Sequence, residues 1–283
     1  MRPVVILIAI VAMATPVFGQ DWEGDLLGIK GDLHGSVGVS IDSKYLWRGF
    51  DIFDDRAATH FTADISLFDT GFGLSAAGHR ANASGFEDLE RWDLSAYYQN
   101  SVFKDQPYVT QYRFGWVFYG YPELNREQSL NLQEGHMILS WPNILPVKGL
   151  CPSYGLVAMW ESDSRSRVSD GNGTLHVLML DYGFSIPSLI PGKSEEQLVK
   201  LHAEVTNNQG FSPTPARRIL DWHTVVRNPP YDWSHAVFGV STDFNLGYGV
   251  TLTPAFYFQA TLNDTFNEDD SELWASLGLK WSF

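Results

Sequence analysis

The sequence is short of cysteine, of charge and of long apolar runs. Among 283 residues only Cys151 is a cysteine, which excludes an internal disulfide. Charged residues make up 18% of the chain and the net charge is −14, which argues against nucleic acid as a partner. Beyond the N-terminus no apolar run approaches the ~18 residues that a helical membrane span needs. No linker, charge block or internal repeat divides the chain, which predicts one domain.

Catalytic motifs are also lacking. The sequence has no GxSxG, no HExxH and no glycine-rich phosphate loop followed by a helix. Two pairs, Glu134 with His136 and His202 with Glu204, place a histidine and a carboxylate on one strand face. Such pairs arise easily in a polar lumen. We therefore predict that the chain is not an enzyme and has no cofactor or metal site.

The N-terminus predicts export. Arg2 precedes an apolar segment over residues 4–14, and small or tolerated residues precede a cleavage point before Gln20. A membrane-anchor helix is the alternative, but the apolar segment is too short to span a bilayer. Residues 1–19 are predicted to be a cleaved signal peptide and 20–283 a single mature domain.

The C-terminal residues predict the compartment. From Leu273 to Phe283, apolar and aromatic residues alternate with mostly small or polar ones, the period-two pattern of a strand. A closing strand ending in phenylalanine is typical of outer-membrane barrels of Gram-negative bacteria, where the barrel assembly machinery docks. This localisation implies outer-membrane lipid and lipopolysaccharide as surroundings.

Alternating segments recur along the whole chain. They predict an all-β fold, a transmembrane antiparallel up-and-down barrel of about 12 strands, with 10 or 14 as alternatives. An aromatic content of 14% suits such a barrel. The predicted strands are 33–48, 57–68, 72–80, 89–100, 107–119, 129–141, 153–162, 174–185, 197–207, 234–245, 248–260 and 271–283.

Connection lengths support the same topology. If both termini are periplasmic, the tight turns at 69–71 and Gly247 fall on the periplasmic side. The long proline-rich connection 208–233 then falls outside. Short inner turns and long outer loops are typical of this class. Pro254 interrupts the lipid-facing register of its strand, which predicts a bulge there.

The end of the first predicted strand carries a recognisable motif. Residues 43–49 read SKYLWRG, which resembles the Ser-x-Tyr-aromatic-Arg-Gly signature of TorF-type putative porins of the Gram-negative outer membrane. Lys44 stands where an aspartate or similar residue is expected. The resemblance implies a barrel of pore function but carries over no functional site.

Strand alternation assigns a face to each candidate site residue. Tyr45 and Trp47 are predicted to face lipid. Lys44 and Arg48 then face the lumen. The predicted aromatic girdle is Tyr45, Trp47, Trp116, Trp281 and Phe283. The predicted lumen or pore-lining residues are Lys44, Arg48, Asp64, Asp93, Arg113, Glu161, Glu204 and Asp243.

The function predicted from these features is a porin or channel for passive diffusion of small solutes through a narrow hydrated lumen. The alternative is a non-conducting barrel that binds or adheres through its outer loops. A soluble lectin-like β-sandwich fits the tryptophans but not the strand lengths. Acidic residues in the outer loops, at 51–55 and 264–270, are interpreted as solvated, and binding of divalent cations there stays open. The solute, the oligomeric state and whether the lumen is plugged also stay open.

Overall fold

In the computed structural model, alternation of apolar and polar residues produces long strands that pair around a closed wall. The structure describes residues 33–124, 129–162, 171–189, 196–212, 231–263 and 270–283. The predicted signal peptide and the acidic residues 264–269 lie outside these ranges. No helix long and apolar enough to cross a membrane occurs among the described residues.

Twelve wall strands enclose the barrel within the described ranges, as predicted. The wall strands are β1 (His34–Asp42), β4 (Ala58–Ser66), β5 (Phe72–Ala81), β6 (Arg91–Val102), β7 (Thr110–Gly120), β8 (Leu132–Ser140), β9 (Leu150–Glu161), β10 (Gly173–Ile186), β11 (Gln197–Gln209), β12 (Tyr231–Thr242) continued by β13 (Phe244–Gly247), β14 (Val250–Thr261) and β15 (Glu272–Ser282). Two short strands, β2 (Leu46–Trp47) and β3 (Phe50–Asp51), pair only with each other.

Each wall strand is antiparallel to its neighbours, and β1 closes the barrel by pairing with β15. Val37 lies opposite Trp281 and Ile41 opposite Leu277 in that closing pair. Closure leaves no free strand edge in the wall, which is what a hydrocarbon environment requires of a sheet. The predicted antiparallel barrel of about 12 strands is therefore confirmed.

The two faces of the wall differ in chemistry. Large apolar side chains point outward, and Leu74, Phe256 and Leu277 each remain more than half exposed. Residues of the opposite parity point into the lumen and are mostly polar, small or charged. Such an apolar outer band around a polar interior is the pattern of transmembrane barrels.

The connections are unequal at the two ends of the barrel. The strand bounds leave residues 67–71, 103–109, 141–149, 187–196 and 248–249 at one end, which we call the short-turn end. The other end, the long-loop end, carries 43–57, 82–90, 121–131, 162–172, 210–230 and 262–271. The predicted asymmetry of loop lengths is confirmed.

Pro254 is accommodated differently from the prediction. It stays in register opposite Leu277 on β15, with no bulge in its own strand. The irregularity lies instead in the neighbouring strand, which breaks at Asp243 between β12 and β13. Proline has no backbone N–H to donate to the neighbouring strand. Because that strand is interrupted at Asp243, no ladder hydrogen bond from residue 254 is required there.

Candidate functional site in the barrel lumen

The main departure from a simple barrel is an inward hairpin, residues 43–57. The chain leaves the wall at Ser43, whose amide still donates to Ala275 O at 2.8 Å. It then turns into the lumen, where Trp47 pairs with Phe50 across a two-residue turn. Both turn residues have positive φ, 55° at Arg48 and 91° at Gly49, the combination of a type I′ hairpin.

Gly49 is required by its surroundings as well as by its φ. A Cβ at this position would lie 2.4 Å from Nδ1 of His235 on the opposite wall. Gln259 donates to Gly49 O at 3.0 Å. The hairpin tip thus contacts strands β12 and β14, far from its own origin beside β1.

A buried arginine on β6 anchors the base of the hairpin. The Arg91 guanidinium donates to the Tyr45 hydroxyl at 2.7 Å and to both Asp93 carboxylate oxygens at 2.7 and 2.9 Å. Its Cζ lies 4.1 Å from the Trp47 ring centroid and 4.7 Å from that of Tyr119. Burial of such a cation is tolerated because a carboxylate and aromatic faces compensate it.

The predicted place of Tyr45 and Trp47 in the lipid-facing girdle is therefore wrong. Tyr45 is buried inside the barrel, stacked on His79 with ring centroids 4.9 Å apart. Trp47 packs edge-on against Tyr119 and Phe211. The alternation predicted over 33–48 ends at Asp42, where the backbone leaves the wall, so the parity of later residues no longer assigns them a face.

Arg48 extends from the hairpin tip to a second buried network on β7 and β8. Its guanidinium donates to Glu134 Oε2 at 2.7 Å, and the Tyr119 hydroxyl donates to the same oxygen at 2.6 Å. His136 Nδ1 lies 2.9 Å from the other oxygen, Oε1. Glu134 is almost fully buried, so this pairing holds the hairpin tip against the wall.

Lys44 forms the third anchor. Its ammonium lies 2.5 Å from Glu272 Oε2 and also contacts Asp55. Burial disfavours the ammonium, but these two carboxylates outweigh that effect and hold the Lys44 pKa above its usual value. Asp51, Asp55 and Glu272 lie close enough together to hold a cation, and the Lys44 ammonium already supplies positive charge there.

Apolar loop residues cover part of the hairpin at the long-loop end. Ile52 and Phe53 are buried against Leu89, Tyr121 and Leu130, which come from the loops 82–90 and 121–131. Asp51 supports this turn by accepting from the amides of Phe53 and Asp55. The predicted solvated acidic stretch 51–55 is thus partly structural, because Asp51 shapes the turn and Asp55 contacts Lys44.

A cavity of about 440 Å³ lies beneath the hairpin tip, within the barrel. Leu46, Trp47 and Arg48 line its hairpin side. On the wall side the cavity is lined by one set of polar residues and one set of apolar residues. The polar wall residues are Arg113, Glu134, His136, Glu204, Thr206 and His235; the apolar ones include Ile138, Val157, Leu175, Val177 and Met179.

The other predicted lumen residues lie in separate pairs along the inner face. Asp64 accepts from the Tyr97 hydroxyl at 2.9 Å, and the Arg113 guanidinium stacks on that ring at 3.7 Å from its centroid. Glu204 lies 3.4 Å from His202 Nε2. At the short-turn end, Asp243 pairs with Lys200 at 2.5 Å and accepts from Thr253.

Arg48, Arg113 and Glu204 thus share the cavity, whereas Lys44, Asp64, Asp93 and Asp243 lie away from it. Glu161 is the last residue of β9 and lies at the long-loop end of the barrel. Its Cγ is 3.1 Å from the position that a Cβ on Gly171 would take.

Sequence reasoning missed Arg91, His60 and His79 as lumen residues. His60 and His79 bridge Asp42 to Asp93 through a 2.7 Å contact between their Nδ1 atoms. For Arg91 the sequence does contain a signal: it lies two residues before Asp93, so both side chains are on the same face of the strand.

The remaining girdle candidates lie outside the lumen. Trp116 is exposed on the outer face of β7 and donates from Nε1 to Gln133 at 3.0 Å. Trp281 and Phe283 lie together at the short-turn end, with ring centroids 5.2 Å apart. Trp281 Nε1 donates to Tyr248 O at 3.1 Å.

Comparison with known proteins bears on the fold. No protein-family model and no curated protein matches the sequence. A KdgM porin structure matches over 88% of this chain and 99% of its own, with 11% identity and a TM-score of 0.51. The KdgM porin in complex with disordered oligogalacturonate covers the same shares at 10% identity and the same TM-score. A NanC porin structure covers 88% and 98% at 11% identity, with a TM-score of 0.47. The closed wall and the match to the KdgM porin structure together show that the chain has a porin-like outer-membrane β-barrel fold.

Proposed function

We propose that the chain is an outer-membrane channel that lets small solutes diffuse through its lumen, with the inward hairpin as the constriction. The observation that carries the proposal is the closed wall with an apolar outer face and a polar, charged interior. An interior of this chemistry holds water, and charges at a constriction select the ions that pass. The solved porins of the same fold support this reading.

The finer assignments belong to the same proposal. The SKYLWRG motif supports a TorF-type porin, and the loop asymmetry supports periplasmic termini with the long loops outside. Lipid and lipopolysaccharide would then surround the outer face, and the barrel assembly machinery would recognise β15. Lys44, Arg48 and Arg113, set against Glu134 and Glu204, would bias which charges pass.

One observation favours a second candidate, a barrel that does not conduct and binds through its loops. The hairpin and two outer loops form a shared apolar cluster at the long-loop end, and Phe53 in it is fully buried. A cluster packed this tightly closes its side of the mouth. The two candidates differ in whether ions cross the folded protein.

Single-channel recording in a planar bilayer separates them. The refolded protein is first checked by heat-modifiable gel mobility, and then the reversal potential is read in a salt gradient. Discrete steps support the channel. Arg48→Ala leaves Glu134 without its cation at the constriction, so the reversal potential should shift toward cation preference. Arg80→Ala, which removes an exposed cation paired with Glu90, is the matched control. A folded barrel without steps refutes the channel.

A further inference from the structure

We infer that the cavity beneath the hairpin binds small carboxylates with an apolar body, such as arylalkanoic acids. This inference deepens the proposed function by naming a solute class for its lumen. It rests on an unpaired cation and an apolar wall that line the same cavity.

The cation is Arg113. Arg113 takes part in none of the ion pairs formed among the described residues, and its polar neighbour Tyr97 offers the ring face. Asp64 bonds to the Tyr97 hydroxyl rather than to Arg113. Arg113 Nε is buried and has no acceptor in the described protein. A guanidinium that packs over an aromatic ring face keeps its N–H donors free for a carboxylate.

Arg48 adds a second donor on the other side of the cavity. One of its terminal nitrogens bonds to Glu134, whereas its Nε is buried without an acceptor among the described residues. The carboxylates that line the cavity are already occupied, Glu134 by Arg48, Tyr119 and His136 and Glu204 by His202. Donor capacity without an acceptor favours an anionic ligand group over a cationic one.

The wall of the cavity next to Arg113 is apolar, beginning with its cross-strand partner Ile138. Ile138, Val157, Val177 and Met179 come from three adjacent strands, β8, β9 and β10, and together line the cavity with apolar side chains. A cavity of about 150 Å³ accepts benzene, so 440 Å³ accommodates a ring, a short chain and a carboxylate. Pockets of this size with few polar groups are typical ligand sites.

Gly155 provides a way to fill the cavity without changing its charge. It lies on β9 in the lining, and the atoms nearest to a Cβ there belong to Val177 and Met179, at 3.5 Å, which is ordinary van der Waals contact. A larger side chain at this position therefore projects into the space that the apolar body would occupy. Gly155→Leu is the steric variant, and Arg113→Gln is the electrostatic one.

The test is titration calorimetry of the full barrel in lipid nanodiscs with 3-phenylpropionate, with empty nanodiscs as reference. We expect saturable binding, and binding of the neutral 3-phenylpropionamide weaker by about ten-fold or more, because a charge-assisted contact is lost. Arg113→Gln should weaken the acid by a similar factor, and Gly155→Leu should abolish binding. Lys200→Gln, which neutralises a lumen cation outside the cavity, should leave it unchanged.

Equal binding of the acid and the amide, or unchanged binding in Arg113→Gln, overturns the inference. Heat-modifiable mobility of each variant shows that it is folded. Calorimetry does not depend on ion flow, so the carboxylate site and the channel function can be refuted independently of each other. Conductance without binding refutes the site and leaves the channel, whereas binding without conductance refutes the channel and leaves the site.

Discussion

Replacing Gly49 by alanine tests whether the hairpin is held inside the barrel. Gly49 has a φ of 91°, and a Cβ there would come within 2.4 Å of the His235 ring. Alanine therefore brings both backbone strain and a clash with a buried side chain. We expect the hairpin to leave its site while the wall remains closed.

The expected size follows from these two effects. A left-handed backbone costs a residue with a Cβ about 1–2 kcal/mol, and overpacking a buried contact costs a further ~1–3 kcal/mol. The sum, about 2–5 kcal/mol, corresponds to roughly a thirty-fold to several-thousand-fold shift toward the undocked hairpin. Gly85→Ala is the matched control, because Gly85 also has a φ of 91° but no atom within 4 Å of its Cβ position.

The assay is maleimide labelling of a cysteine placed at Ile52, which is buried under the loops. Cys151 is first replaced by serine so that only one thiol reacts. Gly49→Ala should speed labelling strongly, and single-channel conductance should rise as the constriction opens. Equal labelling rates in Gly49→Ala and Gly85→Ala would refute the docking of the hairpin against His235.

Three further predictions use the same barrel. Glu134→Gln should lower the free energy of unfolding in vesicles, measured by urea titration, by about 3–5 kcal/mol, because it breaks a buried ion pair. Asp243→Asn is the control: it breaks an exposed ion pair and should cost about 1 kcal/mol or less. Equal losses of stability in the two variants would contradict this prediction. Because its partners raise the Lys44 pKa, the stabilisation from Lys44 is complete below its unfolded pKa of about 10.4 and is lost only as pH rises through the folded value. Lys44→Met should therefore cost the same stability at about pH 6 and about pH 9, and a loss that differs between them would show another origin. Phe283→Ala should reduce the amount of barrel in the outer membrane of cells but not refolding in vitro; an unchanged cellular amount would argue against recognition of this residue by the assembly machinery.

The wall could be predicted from sequence because its cause is local. Lipid on one face and water on the other impose alternation within each strand, so segments such as 250–261 show their register directly. Turn residues between them fix the pairing of neighbours. The predicted strand bounds agree with the structure to within a few residues, except that the first strand ends at Asp42 instead of residue 48.

The inward hairpin could not be predicted in this way. Tyr45 and Trp47 have the same parity as Ile41, so the local pattern fits a continued lipid-facing strand equally well. Their true environment is set by Arg91 and Tyr119, which are distant in sequence. Only the closed barrel brings these partners together, and no spacing along the chain reveals it.

The contacts of the hairpin tip also set an order of events in folding. The hairpin follows β1 and is therefore synthesised early, yet it docks on Glu134, His235 and Gln259, which lie in β8, β12 and β14. Its docking surface does not exist until most of the wall has assembled. Closing contacts between such distant segments is slow because chain entropy opposes them. We therefore expect the hairpin to dock only after most of the wall has assembled, although it lies near the start of the barrel sequence.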